Sequence, residues 1–176
     1  MTYDFSNLSV FVVNETKFTQ NLVANLLRCM NITQIKTFYE VKEAIAGGAS
    51  LSPDVMVMDY LADGANGEDG VRLIRRQEDE RLAFVPIVVV SAYTEYWRVM
   101  AARDAGATEI VALPVSVRVL YKTLTRIATQ PRPFVRTPDY FGPDRRRKQR
   151  PFEGPDRRQA APCQAEAPAS DAWTQV

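Results

Sequence analysis

The chain has 176 residues, 46% of them hydrophobic and 24% charged, which suits one globular domain with some tail and excludes a wholly disordered polymer. It has no histidine, which excludes Ser/His and Cys/His catalysis and any His-ligated metal. The net charge of +1 hides a segregation: residues 1–131 sum to −2, residues 132–158 to +5 and residues 159–176 to −2.

From residue 8 to 128 short apolar runs alternate with amphipathic stretches. Leu8–Val13 reads as a buried strand, and Thr16–Met30 as a helix capped by Thr16 with Phe18, Leu22, Leu26 and Met30 on one face. Gln34–Phe38 is a weak strand, Glu40–Ala46 a short helix, and Asp54–Met58 a second buried strand. Gly70–Arg81 predicts one helix with Val71, Ile74 and the stem of Arg75 on one side. Val85–Val90 is the strongest strand. Thr94–Ala105 is a helix closed by Gly106, Glu109–Ala112 a last strand, and Ser116–Ala128 a last helix. Tyr93, Tyr96, Trp97 and Arg98 are candidates for a partner-facing surface, although helical aromatics are more often core, and the core reading is preferred here.

Five strands alternating with five helices predict an α/β fold, a five-stranded parallel sheet that is doubly wound. Ligands of such sheets sit at the carboxyl ends of the strands, beside the switch point. The residues there are Asn14-Glu15, Asp59, Ser91-Ala92 and Leu113-Pro114. Beyond 130 the periodicity stops and prolines recur. We therefore divide the chain into a domain over 1–131, an extended arginine-rich segment over 132–158 and a disordered tail over 159–176. The start, MTYDFSNLSVFVVN, lacks a basic n-region and reads as a mature N-terminus, and no run has the length of a membrane span. The two cysteines, Cys29 and Cys163, fit a reducing, cytoplasmic setting.

The segments VFVVNE, PDVMVMDY, DGVRLIRR, VPIVVVSAY, ARDAGATEI and LPVSVRVL, in this order, resemble CheY-like receiver domains of two-component response regulators over residues 7–129. The resemblance implies a flavodoxin-like fold, a histidine kinase or another protein as partner, Asp59 as phosphoacceptor, and Ser91 as the hydroxyl that meets the phosphoryl group. It also implies that Glu15 and Asp59 help hold Mg²⁺, a hard cation that neutralises phosphoryl oxygens. The chain departs from the pattern at three positions. Asn14 replaces an acid, Leu113 stands where the family has a lysine, and Ile110 stands at the aromatic switch position. The loop YLADGANGEDG carries Asp63, Glu68 and Asp69 as replacement ligands. The expectation is a degenerate receiver. With no P-loop, nucleophile elbow or metal cluster in the sequence, it is not expected to be an enzyme.

The pentapeptide GPDRR occurs at 142–146 and again at 154–158. Each unit joins an aromatic, a Gly-Pro turn, one carboxylate and two guanidiniums. In the basic segment eight cations are Arg and one is Lys148, which favours planar bidentate recognition over plain charge. Arg grips the O6/N7 edge of guanine, a carboxylate accepts from the other edge, and a second Arg stacks or meets phosphate. Two units suit cyclic di-GMP. The segment also resembles the arginine-rich extension of CheY-like cyclic di-GMP effectors, the Cle group, which implies a flagellar motor component as partner. The candidate ligand residues are Arg136, Asp139, Tyr140, Asp144, Arg145, Arg146, Arg147, Arg150, Asp156, Arg157 and Arg158. The other readings are a phosphorylated regulator with a docking tail, and nonspecific binding to nucleic acid. No specific DNA binding is expected.

Overall fold

The computed structural model describes residues 3–48, 50–59, 68–146, 163–165 and 174–175. Five strands form a parallel sheet: β2 (Ser9–Val13), β3 (Gln34–Phe38), β4 (Val55–Asp59), β5 (Ile87–Ser91) and β6 (Glu109–Ala112), in the order β3-β2-β4-β5-β6. Period-2 side-chain alternation divides each central strand between two cores. Val10, Val12, Val55, Val57, Val88 and Val90 face one apolar cluster with Leu27, Leu120 and Leu124. Phe11, Val13, Met56, Met58, Ile87 and Val89 face the other with Val41, Val71, Ile74 and Ala102. Helices α1 (Lys17–Arg28) and α6 (Val117–Thr129) cover the first face. Helices α2 (Val41–Gly48), α3 (Glu68–Arg75) and α5 (Tyr96–Ala105) cover the second. The expected doubly wound sheet is therefore the observed fold.

Three local expectations are corrected. The buried stripe of α1 is Gln20, Val23, Ala24 and Leu27, while Phe18 is 79% exposed. Steps of four overshoot the 3.6-residue turn, so Phe18 at the start falls outside the inner face, while Leu26 packs partly against the first cluster and Met30, past the end of α1, is buried in it. The stretch predicted as one helix over 70–81 is two. α3 ends at Arg75, and α4 (Glu80–Phe84) begins anew because the Asp79 carboxylate accepts from the Arg81 N–H at 3.0 Å, a side-chain N-cap. Thr16 precedes α1 but makes no side-chain cap bond; its hydroxyl and backbone N–H both donate to Asn14 Oδ1 at 2.8 Å.

The largest departure lies beyond residue 130, where β7 (Phe134–Thr137) and β8 (Tyr140–Pro143) form an antiparallel hairpin across Pro138-Asp139. Pro fits here because Pro138 sits in the turn and Pro143 ends an edge strand. Phe134 and Phe141 pack on Phe84 with ring centroids 4.8 and 5.0 Å away, a third small core. Gly142 permits the closest approach, since a Cβ there would lie 2.9 Å from Gly106 Cα. Within the stretch read as a disordered tail, β9 (Cys163–Ala165) pairs with β7, and β10 (Thr174–Gln175) pairs with β1 (Tyr3–Asp4). Backbone pairing requires no apolar periodicity, which is why the sequence pattern missed it.

Arg75 joins the hairpin to the domain. It is 4% exposed, and its nitrogens donate to the carbonyls of Gly106 (3.0 Å), Ala83 and Val85 (both 2.7 Å). Its guanidinium also stacks on Phe134 at 5.1 Å. Burial pushes it down to about 9, with the neighbouring Arg132 charge adding to the effect and Tyr140 opposing it, so it stays charged at neutral pH. Replacing Arg75 by Met strands three carbonyls in an apolar site. We expect R75M to lose roughly 3–5 kcal/mol of stability in urea unfolding. Faster hydrogen exchange at the β7–β8 amides should accompany the loss.

Candidate functional site

The order β3-β2-β4-β5-β6 reverses direction between β2 and β4, so a crevice opens past their carboxyl ends. Asn14 follows β2, and Asp59 is the last residue of β4. Asn14 is 5% exposed and donates from Nδ2 to Asp59 Oδ2 at 3.0 Å. Its orientation is fixed because Oδ1 accepts from the Thr16 backbone N–H, which can only donate. Gln20, buried on α1, clamps the same turn by donating to the Asn14 and Phe38 carbonyls at 2.8 and 2.9 Å. Ser91 ends β5, one position past the Asp59↔Val90 pair of the β4–β5 ladder. It is 2% exposed, and its Oγ accepts from the Tyr93 N–H at 3.1 Å. Asn14, Asp59 and Ser91 are thus brought to one end of the sheet, with Glu15 exposed beside Asn14.

The fold has known counterparts. The family described as the response regulator receiver domain matches residues 10–125.

The chain belongs to the response regulator receiver family.

It is similar to the chemotaxis protein CheY of Pseudomonas aeruginosa, with 26% identity over 120 residues that cover 68% of this chain and 95% of that protein. Among solved structures it is similar to Vibrio cholerae CheY4, at a TM-score of 0.61 and 23% identity, covering 68% and 98% of the two chains. A second is the receiver domain of the Pseudomonas aeruginosa sensor histidine kinase PA1611, with a magnesium ion coordinated in its active site cleft. That likeness has a TM-score of 0.60 at 21% identity and covers 68% and 95%. The family match ends before the hairpin and both GPDRR units.

The departures of this receiver have structural reasons. Leu113, at the position of the family's lysine, is partly buried against the first apolar cluster. Ile110, at the aromatic switch position, packs into the second cluster. Receivers bind Mg²⁺, and the carboxylates expected to meet it, Glu15 and Asp59, lie at this end of the sheet. Asn14 Oδ1 is spent on Thr16, and among the described residues no group of three His, Cys, Asp or Glu assembles as a metal site. Two carboxylates leave a magnesium ion dependent on water and phosphoryl oxygens. Asp63 lies outside the described residues, as do the side chains of Glu68 and Asp69. Removing the Asn14 amide should strengthen the site. We expect N14D to bind Mg²⁺ at least about tenfold more tightly than wild type in a tryptophan-fluorescence titration, through one added negative charge.

The aromatics next to Ser91 do not join the core as expected. Tyr93, Tyr96 and Trp97 are 46%, 79% and 61% exposed. The Arg98 guanidinium lies 4.5 Å from the Tyr93 ring and 4.6 Å from the Trp97 ring, so the rings cover a cation instead of entering the apolar clusters.

The first GPDRR unit is part of the hairpin's architecture. The Asp144 carboxylate accepts from the Arg146 N–H at 2.9 Å, which explains an acid beside the Arg pair. Arg145 donates to Asp104 on α5 at 3.0 Å and stacks on Tyr140 at 4.6 Å. Tyr140 donates its hydroxyl to the Pro143 carbonyl at 2.6 Å; burial pushes its phenol up, against the charges of Arg145, Arg75 and Arg132. Arg136 lies over Phe141 at 4.2 Å, and Asp139 is exposed at the turn. Arg132 donates to the carbonyls of Asp144 and Thr108. Arg147, Arg150, Asp156, Arg157 and Arg158 lie outside the described residues. Sequence reasoning missed Asp104 and Arg132, whose partners are 41 and 24 or fewer residues away in the chain.

Partial burial pushes the Asp104 carboxyl up, but hydrogen bonds and charge from Arg145 and Arg103 outweigh it and hold the carboxyl below its usual range. A depressed carboxylate contributes stability above its unfolded pKa and loses it as pH falls through the folded one. The α5–hairpin tether is therefore expected to hold at neutral pH and to release below the usual carboxylate range. A pH titration of the Arg145 side-chain NMR signals, with D104N as the released reference, checks this.

Proposed function

We propose that this receiver is a degenerate signalling protein whose arginine-rich C-terminal segment binds cyclic di-GMP, and that it acts as a non-enzymatic effector or adaptor on a protein partner. The observation that carries the reading is the contrast between its two ends. At the phosphoacceptor site the Asn14 amide occupies an oxygen of Asp59, and the lysine position is a leucine packed in the core. At the other, guanidiniums are set on aromatic rings, Arg136 on Phe141 and Arg145 on Tyr140, where a planar base can stack or be gripped by its edge.

The proposed signal passes through Asp104. A nucleotide that takes Arg145 removes the inter-element partner of an α5 carboxylate, leaving it Arg103 of its own helix. α5 also carries exposed Tyr96 and Trp97, so the change reaches a surface suited to a protein contact. A flagellar motor component is the partner class implied by the resemblance of the segment. Isothermal titration of the full chain is expected to give micromolar or tighter binding of cyclic di-GMP. It is expected to weaken when Arg145 and Arg157 become Ala, and an absence of heat at these concentrations overturns the reading.

A second reading is an ordinary phosphorelay regulator partnered by a histidine kinase. It is favoured by the adjacent ends of β4 and β5, which keep Asp59 beside Ser91. Its measurement is intact mass after acetyl phosphate and Mg²⁺: a phosphoryl gain lost in D59N supports it, and no gain counts against it.

A further inference from the structure

Two cavities flank the hairpin. One, of about 450 Å³, lies at the amino ends of the strands and is walled largely by Phe84, Val85, Pro86, Ile127 and Phe134. The other, of about 460 Å³, is polar and opens between the end of α3 and the hairpin turn. Its walls include Arg76 and Gln77 from the receiver and Arg136, Asp139, Tyr140 and Phe141 from the hairpin. Its volume falls within the range of small-ligand sites.

Several polar groups of this cleft are uncommitted. Arg76 and Asp139 are exposed, and among the described residues neither side chain has a hydrogen-bond or ion-pair partner. Arg136 has its guanidinium laid on Phe141, which orients the plane without using the nitrogens. Gln77 donates Nε2 to the Leu73 carbonyl at 2.8 Å, so its oxygen is left to accept. Behind them the buried Arg75 adds positive charge, its own donors engaged by carbonyls. One free guanidinium (Arg76), a second stacked on Phe141 with its nitrogens unused (Arg136) and one free carboxylate (Asp139) make a site that suits an anion joined to a planar group with a donor edge.

We propose that the receiver itself forms half of the nucleotide site, with Arg76 and Gln77 of the α3 terminus closing on the hairpin around one guanine and its phosphate. This rests on the reading of the arginine-rich segment as a cyclic di-GMP site. Arg76 pairs with the phosphate, whose oxygens match a guanidinium fork. Arg136 stacks on the base. Asp139 accepts from the guanine N1–H and 2-amino group, with the Gln77 oxygen as a second acceptor for the amino group. Adenine presents an acceptor at N1, so a carboxylate facing it is repelled and the cleft selects guanine. The arrangement makes ligand binding depend on a docked hairpin, because its two walls come from segments about sixty residues apart that Arg75 and the Phe84–Phe134–Phe141 cluster hold together.

The test is calorimetry on the full chain with cyclic di-GMP and cyclic di-AMP, comparing wild type with R76A, D139N and R118A. Arg118 is exposed on α6, away from the cleft, and serves as a charge-matched control. The expected result is a loss of about tenfold or more in affinity for R76A, the worth of one charge-assisted contact. D139N should lose guanine preference, and R118A should bind as wild type. Far-UV circular dichroism and a thermal melt establish that the variants fold. If wild type binds cyclic di-GMP while R76A and D139N bind equally well, the receiver wall is not part of the site and this inference falls, leaving the arginine segment reading intact. If wild type itself does not bind, the ligand reading falls and takes the cleft with it.

Discussion

The Arg75 guanidinium is enclosed with no carboxylate partner among the described residues, its charge met by backbone carbonyls at the C-terminal ends of α4 and α5 and by the face of Phe134. A charge so buried is expensive to desolvate, and the cost is offset only while every partner is in place. The arrangement is therefore cooperative. The break between α3 and α4, the left-handed Gly106 turn with φ of 107°, and the docking of the hairpin each supply a partner that the others require. What looks like an appendage on a receiver shares its interior chemistry with the domain.

This coupling gives the molecule two poles. At the carboxyl ends of the strands the switch-point crevice holds Asp59 at the end of β4 and Ser91 at the end of β5. Its electrostatics are altered, since an amide stands where an acid is expected and its nitrogen is turned onto Asp59. Along the other side the hairpin sets arginines on aromatic rings and ties one of them to α5 through Asp104. α5 lies between the poles, following the loop after Ser91 and ending at Gly106 against the hairpin. A helix so placed is suited to report on either pole, and its exposed aromatics are where a report would be read.

The twofold GPDRR motif shows how one sequence feature can carry two demands. In the first unit Gly142 allows close approach to Gly106, Pro143 ends an edge strand, Asp144 satisfies the Arg146 N–H and Arg145 reaches α5. Each residue has a local structural reason that charge counting does not supply. The aspartate that argues against a plain polyanion binder is in this unit a turn-former. A ligand-binding role is thereby narrowed to what the turn leaves available: the guanidinium planes, Asp139 and the cleft beside Arg76.

The amino-acid order alone revealed the parallel sheet, because buried strands and amphipathic helices write their periods into the chain, and its motifs pointed to Asp59 and Ser91 at the carboxyl ends of the strands. It also displayed the departures at Asn14, Ile110 and Leu113. It misassigned the inner face of α1, merged α3 with α4, and placed Tyr96 and Trp97 in the core, since apolar character alone does not say which side of a helix meets the sheet. The docking of residues 134–143 became visible in the folded molecule alone. Three phenylalanines spread over 84–141 have no period to detect, and the hydrogen-bond partners of Arg75 lie up to 33 residues away in the chain. Contacts between distant residues are set by packing, and packing exists only in the folded molecule.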